Sequence, residues 1–299
     1  MRISIYAILV LSLTTVVHGG KRDVALSLTD GVLTVRIGDE QFAVYNKTDK
    51  YPKPFFSPVR GPGGTILSRP ILRKGDDHPH HKGIWVAVDE VNEVDFWAER
   101  GKIRNKDVKI LDSAGNPAKL LVTNEWLNAD GQPIVTETTS ISIFSNRLMI
   151  YDITFTAGKE PATFGDTKEG LFGVRMVNSM REREGGHVIS SNGAEGSAAC
   201  WGKPAKWIDY YGKVDGKTFG IALMDHPKNF RPSRYHVRNY GLFTISPFGE
   251  KAYAKNPAAP LTIAAGKSER LRYAIYIHAG DTKQGAVTDV YQQFLKASK

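Results

Sequence analysis

Short turn signals separate long runs of β-prone residues along this chain. Asp-Gly pairs at 30–31, 130–131 and 215–216 and the Ser145-Asn146 pair each lie between two runs rich in Val, Ile, Thr and Tyr. An Asp-Gly pair supplies the positive φ angles that a tight hairpin needs. Because many of these runs have one apolar face, they can cover a common core. The pattern predicts an all-β protein, a large antiparallel sandwich of two stacked sheets.

One helix is predicted, at the C-terminal end. Asp281 can cap it and Gln284 stands three residues later, as in a capping box. Its apolar stripe comprises Val287, Tyr291, Phe294 and Leu295. The segments 59–77 and 185–206 are interpreted as long loops. No repeat or linker divides the sequence, so we expect a single sandwich domain over residues 20–299, long enough to bury a large core.

The first nineteen residues have the pattern of a secretory signal peptide. Arg2 precedes fifteen uncharged, mostly apolar residues, Ile3 to Val17. A span of the bilayer takes about 20 residues, so this stretch fits a signal peptide better than an uncleaved anchor helix. Small residues predict cleavage after Gly19. We therefore expect an exported protein, periplasmic or extracellular, with no membrane span after cleavage.

Composition removes several classes of function. The single cysteine, Cys200, allows no internal disulfide and no cysteine-based zinc site. Lysine and arginine (40) outnumber aspartate and glutamate (31), giving a formal charge of +9. These cations are scattered rather than gathered in a stripe, so no nucleic-acid partner is expected. The glycine-rich fingerprints of nucleotide sites are absent from the sequence, so no nucleotide or flavin cofactor is expected.

Three histidines stand within four residues, just before a predicted strand. His78, His80 and His81 precede Trp85, a candidate for ligand stacking. In extended backbone, which Pro79 favours at His78, the first two rings share a face and His81 points the opposite way. Such imidazoles can act as acid and base, bind a polyol or ligate a metal. A metal-dependent oxygenase or lyase therefore remains one alternative, although no further ligands can be assigned.

A carboxylate and a guanidinium flank a short glycine-rich strand. Glu169 precedes this strand and Arg175 ends it. A site for a sugar ring needs one group that takes a proton and another that holds an oxygen, and these residue types supply both. The alternative is a surface ion pair of little energetic value.

Polar and aromatic residues alternate in the segment 235–240. In a strand, His236, Arg238 and Tyr240 would line one face, which suits the wall of a ligand pocket better than a core. Asp225 and His226 repeat the Asp-His-Pro triplet that contains His78, and they are further candidates for ligand binding.

Five motifs together resemble one known family. They occupy residues 56–64, 77–85, 95–97, 168–175 and 236–249. The sequence resembles the DUF6807 family over roughly residues 23–279; its members are often labelled methane oxygenase PmoA. The resemblance implies an exported protein of sugar-degrading bacteria and transfers no catalytic residue. The membrane methane monooxygenase subunit spans the bilayer several times, and no segment after residue 19 could do so, which disfavours methane oxidation.

The sandwich and its Glu, His and Arg set are also similar to the galactose-mutarotase-like superfamily of sugar epimerases and lyases, whose fold is a supersandwich. We therefore expect a carbohydrate-active acid–base enzyme of lyase, epimerase or hydrolase type, with a small sugar or glycan as ligand. His80 or His81 would be the acid or base, and Glu169 the complementary carboxylate. Arg175 and Arg238 would hold substrate oxygens. A non-catalytic carbohydrate-binding protein with the same pocket wall is the main alternative.

Overall fold

The computed structural model describes residues 23–298, so the predicted signal peptide at residues 1–19 lies outside the described residues. The strands of the described part are β1 (Val24–Thr29), β2 (Val32–Ile37), β3 (Glu40–Asn46), β4 (Phe55–Val59), β5 (Ile84–Val86), β6 (Lys102–Asp112), β7 (Ala114–Gly115), β8 (Ala118–Leu127), β9 (Pro133–Ile143), β10 (Leu148–Ala157), β11 (Ala162–Phe164), β12 (Phe172–Arg175), β13 (His187–Ser190), β14 (Trp207–Val214), β15 (Lys217–Asp225), β16 (Arg234–Val237), β17 (Leu242–Ser246), β18 (Leu261–Ile263) and β19 (Ser268–Ala279). The helices are α1 (Ser197–Cys200) and α2 (Val287–Ala297), and single helical turns occupy Pro62–Gly64, Asn178–Met180, Glu182–Glu184 and Glu250–Ala254.

Two large antiparallel sheets contain nearly all of these strands. One has nine strands in the order β16-β17-β12-β5-β4-β3-β2-β1-β7, and the other has eight in the order β13-β14-β15-β19-β10-β9-β8-β6. All four predicted hairpin joints lie between paired strands, at β1–β2, β8–β9, β9–β10 and β14–β15. Asp30 and Gly31 both have positive φ, at 50° and 75°, as do Asp215 and Gly216, at 50° and 77°. These angles are the reason that Asp-Gly was informative in the sequence.

The two sheets face each other across one apolar core, as predicted for a sandwich. The ring of Phe172, on β12 of the larger sheet, lies 4.4 Å from Tyr151 and 6.0 Å from Tyr273 of the smaller sheet, measured between ring centres. Along β9, inward residues alternate with half-exposed Thr and Ser. One inward residue is Glu137, which accepts hydrogen bonds from Trp126 Nε1 at 2.9 Å and from Thr139 Oγ1 at 2.7 Å. Those donors offset part of the cost of burying a carboxyl group.

The C-terminal helix packs on the outer face of the eight-stranded sheet. Its Phe294 belongs to a second apolar cluster with residues of β10, β15 and β19. The helix itself is confirmed, but its predicted start is wrong. Asp281 Oδ1 does accept the backbone N–H of Gln284 at 2.8 Å. That contact closes a separate turn, because Ala286 has φ 49° and interrupts the helical backbone before Val287.

One further difference concerns a predicted loop. The segment 185–206, predicted as a loop, contains β13 and the single-turn helix α1. Within residues 23–298, no helix combines the length and the apolar character needed to cross a bilayer.

Candidate active site

Four residues in a row across the outer face of the nine-stranded sheet form the floor of the site. Trp85, Gly173, Thr244 and His236 are successive cross-strand partners on β5, β12, β17 and β16. The even-numbered residues of β12 point into the core, so Gly173 and Arg175 point outward. Gly173 leaves the space that the Thr244 side chain fills, since a Cβ there would lie 2.3 Å from a methyl carbon of Thr244.

The guanidinium of Arg175 is the buried centre of the site, with 1% of the residue exposed. Its Nη1 donates to Nδ1 of His81 at 3.1 Å, and its Nη2 donates to Oδ2 of Asp77 at 3.4 Å. A guanidinium can only donate, so Nδ1 of His81 is an acceptor and the proton of that ring lies on Nε2. Burial lowers the pKa of Arg175 and Asp77 opposes the shift. The side chain stays charged, because an arginine is not deprotonated in proteins.

Arg69 fixes the loop that carries the three histidines. Its guanidinium donates to the carbonyl oxygens of Asp77 at 3.0 Å, His78 at 2.6 Å and His81 at 3.3 Å. Carbonyls that converge on one cation require a turn, and His78 has φ 50°. The extended backbone predicted there is therefore wrong, and the rings do not point to opposite faces. The His81 ring centre lies 4.9 Å from that of His78 and 4.3 Å from that of His80.

Tyr240 joins this histidine loop to the end of β16. Its ring stacks on His78 with centres 5.5 Å apart, and the guanidinium carbons of Arg175 and Arg238 lie 4.8 Å and 5.6 Å from its centre. The predicted common strand face is wrong in detail, because β16 ends at Val237 and residues 238–240 form the turn to β17. The turn nevertheless brings Tyr240 back onto Arg175, so the predicted residues meet.

Glu169 lies beside His236 on the same face of the sheet. Its Oε1 accepts a 2.5 Å hydrogen bond from Lys168 Nζ, and its Oε2 lies 3.5 Å from Nδ1 of His236. The nearer acceptor for that nitrogen is the carbonyl oxygen of Lys168, at 3.1 Å. The rings of Trp201 and Tyr253 pack edge-on against His236 at 6.2 Å and 6.3 Å. One carboxylate oxygen of Glu169 therefore has no short hydrogen bond among the described residues.

Burial favours the neutral form of three imidazoles of the site, those of His80, His81 and His236. Burial lowers the pKa of His80 to about 4, and the positive charge of Lys53 adds to the shift. Burial also lowers the pKa of His81, and the adjoining His80 ring adds to it. For His236 burial again lowers the pKa, although the carboxylate of Glu169 opposes the shift. Neutral rings can accept a proton or donate one N–H hydrogen bond, but they are not imidazolium acids.

Two buried lysines beneath the histidines were missed by the sequence analysis. Lys53 Nζ lies 3.0 Å from Glu99 Oε1 and donates to the carbonyl oxygen of Trp97 at 3.1 Å. Lys82 Nζ donates to both oxygens of Glu99, at 2.5 Å and 2.6 Å. Burial lowers the pKa of Lys53 to about 8 although Glu99 opposes it. Lys82 itself stands in the motif at residues 77–85, and the motif at residues 95–97 ends two positions before Glu99, whereas Lys53 lies outside all five motifs.

Trp85 supports the histidine loop instead of facing solvent. Its ring lies parallel to that of His81, with centres 5.8 Å apart and 12° between the planes, and Trp97 packs on both rings. The residue is 2% exposed. The structure thus places it under the site, where it holds His81 in position.

Asp225 and His226 lie elsewhere, against the C-terminal helix. Asp225 accepts hydrogen bonds from the backbone N–H of Ser233 at 2.8 Å and from Asn229 Nδ2 at 2.8 Å. Asp225, His226 and Tyr291 line a separate cavity of about 310 Å³. The repeated Asp-His-Pro triplets therefore occupy two different places, and Asp225 holds a loop together.

The described part of the chain offers no cluster of three or more His, Cys, Asp or Glu side chains arranged to hold a metal ion. The trio His78, His80 and His81 is included in that statement. Nδ1 of His78 is hydrogen-bonded to Asp77, and Nδ1 of His81 to Arg175.

Several solved structures match this chain at low similarity. A β-arabinopyranosidase is 15% identical at a TM-score of 0.44, over 80% of this chain and 38% of its own. The GH36 α-galactosidase AgaA from Geobacillus stearothermophilus is 10% identical at a TM-score of 0.43, over 84% of this chain and 40% of its own. A putative aldose 1-epimerase from Klebsiella pneumoniae is 8% identical at a TM-score of 0.40, over 91% of this chain and 87% of its own. The chain spans less than half the length of the two glycosidases.

The comparison of sequences is more specific. A search of curated proteins finds no significant match. The model of a family described as "Family of unknown function (DUF6807)" matches residues 32–292. That range contains all five motifs quoted above, and it covers most of the described strands. The chain therefore belongs to the DUF6807 family.

Proposed function

We propose that this protein is a carbohydrate-active enzyme that works by acid–base chemistry at the Tyr240–Arg175 centre. The observation that carries the proposal is the position of Arg175. Its guanidinium is bonded to His81, against which His80 packs, and it lies under the Tyr240 ring. Burial raises the pKa of Tyr240, the charges of Arg238 and Arg175 oppose the shift, and the charge of Glu169 adds to it. A carboxylate and a neutral imidazole thus belong to one electrostatic cluster.

Glu169 is the proton acceptor in this proposal. Lys168 holds Oε1, and the proton on Nδ1 of His236 is directed to the Lys168 carbonyl, so Oε2 is left to take a proton from a ligand. The side chain is 23% exposed, which keeps it accessible to a ligand. A positioned carboxylate of this kind contributes about 10²–10⁴-fold to a proton-transfer step.

His80 and His81 have different roles. His81 has its acceptor nitrogen occupied by Arg175 and is 2% exposed, so it offers at most a fixed N–H donor. His80 is half-buried, and the described residues give its ring no hydrogen-bond partner. As a neutral base with a free nitrogen, His80 is the second proton-transfer group.

The surrounding surface suits a sugar ring. The rings of Tyr240 and Trp201 are partly exposed, and aromatic faces pack against the C–H faces of pyranoses. Guanidinium and amide groups beside them can hold hydroxyl oxygens. A few polar groups around an aromatic wall are the usual composition of a small-ligand site.

A second candidate is a carbohydrate-binding protein without turnover. It is favoured by the hydrogen bonds that Arg175 donates to His81 and Asp77. These bonds make the wall of the site rigid and leave few of its polar groups without a partner. A preorganised wall of this kind serves binding as well as catalysis.

A turnover screen with one matched pair of variants separates the two candidates. The full chain is incubated with a panel of glycans and sugars, and products are detected by mass spectrometry and by NMR of anomeric protons. Glu169→Gln should lower turnover at least about 100-fold while retaining binding, and Glu184→Gln, which alters a half-exposed carboxylate elsewhere, should leave turnover unchanged. Saturable binding with no product for wild type would establish the binding protein and reject the enzyme.

We also propose that the protein is exported, on the strength of the residue 1–19 pattern alone. N-terminal sequencing of the protein recovered from the periplasm or medium of an expressing bacterium should begin at residue 20. Recovery of the uncleaved chain from the cytoplasm would reject export.

A further inference from the structure

An open cavity lies between helix α1 and the end of strand β16. Its volume is about 360 Å³ and it is lined by Ser197, Ala198, Trp201, Val237, Arg238 and Asn239. Ligand pockets in proteins begin near about 300 Å³, so the space admits a sugar residue. Trp201 also packs on His236, which connects this cavity to the Glu169 side of the site.

Arg238 is the unusual residue of that cavity. Among residues 23–298, its guanidinium has neither a carboxylate within ion-pair distance nor a hydrogen-bond partner, and its recorded contact is the Tyr240 ring at 5.6 Å. Arg234, four residues earlier in strand β16, instead donates two hydrogen bonds to Glu250, at 2.8 Å and 3.0 Å. Arg238 therefore presents a full set of guanidinium donors to the cavity.

The carboxylates around the site do not balance its cations. Arg69 and Arg175 share one carboxylate, Asp77, at 3.6 Å and 3.4 Å, and its side chain is 64% exposed. An exposed carboxylate is screened by water and is a weak counterion.

Two further carboxylates, Glu169 and Glu182, have partners of their own. Glu169 is paired with Lys168 at 2.5 Å. Glu182 accepts hydrogen bonds from the backbone N–H of Ser197 at 2.8 Å and from the Ser197 hydroxyl. Among the described residues that line the cavity, Arg238 is the charged side chain, and the residue is exposed.

We infer that the sugar recognised here is acidic: a pyranose that carries a carboxylate, as in a uronic acid or a polyuronide. The inference rests on the proposed function and names its substrate class. The fork of Arg238 matches a carboxylate in two parallel hydrogen bonds, and the adjacent Trp201 ring offers a surface for the sugar face. A neutral sugar would leave the charge of Arg238 without a partner.

Matched acidic and neutral ligands test the inference on the full chain. Calorimetric titrations compare glucuronate, galacturonate and mannuronate, and their oligomers, with glucose, galactose and mannose and the corresponding neutral oligomers. Wild type should prefer at least one acidic sugar over its neutral counterpart by about tenfold or more, and the preference should weaken as NaCl is raised. Arg238→Gln should remove the preference, whereas Arg36→Gln, an exposed arginine on the distant strand β2, should keep it.

The outcomes distinguish the inference from the proposed function. Equal binding of acidic and neutral sugars, or an acidic preference that survives Arg238→Gln, would overturn the acidic substrate and leave the carbohydrate function standing. Binding of none of these ligands would overturn both. Tighter binding of glucose 6-sulfate than of any uronate would overturn the carboxylate in favour of another anionic group.

Discussion

Arg175 donates a hydrogen bond from Nη1 to Nδ1 of His81 across 3.1 Å, and both side chains are almost fully buried. The bond decides the chemical role of His81. Because the guanidinium cannot accept a proton or a hydrogen bond, the imidazole must be neutral and protonated on Nε2. A histidine that looked like an acid or base in the sequence is thereby a fixed donor, and the free imidazole of the cluster is His80.

The tautomer of His81 can be observed directly. We expect two-bond ¹H–¹⁵N NMR to show an Nε2-protonated ring for His81 that does not titrate between pH 5 and 8. Arg175→Met should remove this fixed state and destabilise the fold by about 1–3 kcal/mol, because it leaves the buried Nδ1 of His81 without its donor. Arg100→Met, at an 81% exposed arginine, is the control. An imidazolium signal from His81 at neutral pH in wild type would contradict the assignment.

The pKa of His80 should respond to Lys53. Burial is the larger cause of its low value, about 4, and the charge of Lys53 is the next. Lys53→Met removes the charge while Glu99 keeps its partner Lys82. We expect the His80 pKa, followed by NMR, to move upward toward its usual value near 6.5, and the acid limb of any pH–rate profile to move with it.

The control for that experiment is Lys50→Met, at an exposed lysine that is not a cause of the shift. An unchanged His80 pKa in Lys53→Met, with the fold intact by circular dichroism, would show that the charge of Lys53 does not contribute to the shift.

The stability of the fold should depend on the pair His278 and Asp209. Nε2 of His278 lies 3.1 Å from Asp209 Oδ1, and the side chains are 2% and 0% exposed. Burial by itself would lower the pKa of His278, but the hydrogen bond and charge of Asp209 outweigh it and raise the pKa. The stabilisation is therefore complete below the unfolded-state value near 6.5 and is lost as pH rises through the folded-state value.

Denaturant unfolding at a series of pH values from 5 to 9 measures this effect. The free energy of unfolding of wild type should fall with rising pH more steeply than that of His278→Gln. His187→Gln, at an exposed histidine, should keep the wild-type slope. Parallel curves for wild type and His278→Gln would mean that the pair does not titrate in this range.

Gly173 should tolerate no side chain while Thr244 stands beside it. An added Cβ would lie 2.3 Å from the Thr244 methyl carbon and 2.6 Å from the Phe243 carbonyl oxygen. Gly173→Ala should therefore destabilise the protein by about 1–3 kcal/mol. The double variant with Thr244→Ser should recover part of this loss, because serine lacks the methyl group but keeps the hydroxyl that donates to Gly170 O at 2.7 Å. No recovery would indicate that the contacts with the Phe243 carbonyl oxygen and the Thr244 Cβ, both at 2.6 Å and both retained in the double variant, dominate.

Local sequence signals determined the architecture. The Asp-Gly joints specified hairpins because few residue pairs adopt two positive φ angles at low cost. Alternation along runs such as β9 specified which face is buried, and the two faces together specified a sandwich. The capping pair Asp281 and Gln284 misplaced the start of the C-terminal helix, since the same hydrogen bonds can close a turn before a residue such as Ala286 breaks the helix.

The site was only partly readable, because its contacts join residues far apart in the chain. The sequence singled out Glu169, Arg175, His236 and Tyr240 as polar or aromatic groups in unusual surroundings, and the structure places Glu169 beside His236 and Tyr240 on Arg175. Their meeting depends on the strand order β16-β17-β12-β5, which sequence spacing does not give. The same reasoning grouped Asp225 with them, and the structure places it in a different cavity.

The sequence by itself thus determined the strand-and-turn pattern, the sandwich and the residues rich in chemistry, since these follow from local backbone preferences and from the two-residue period of a strand. Only the tertiary structure decided which groups are free to react. Arg69 draws three carbonyls into one turn, Arg175 occupies His81, and burial beside Lys53 keeps His80 neutral. These are long-range effects of packing and charge, and they exist only once distant segments have come together.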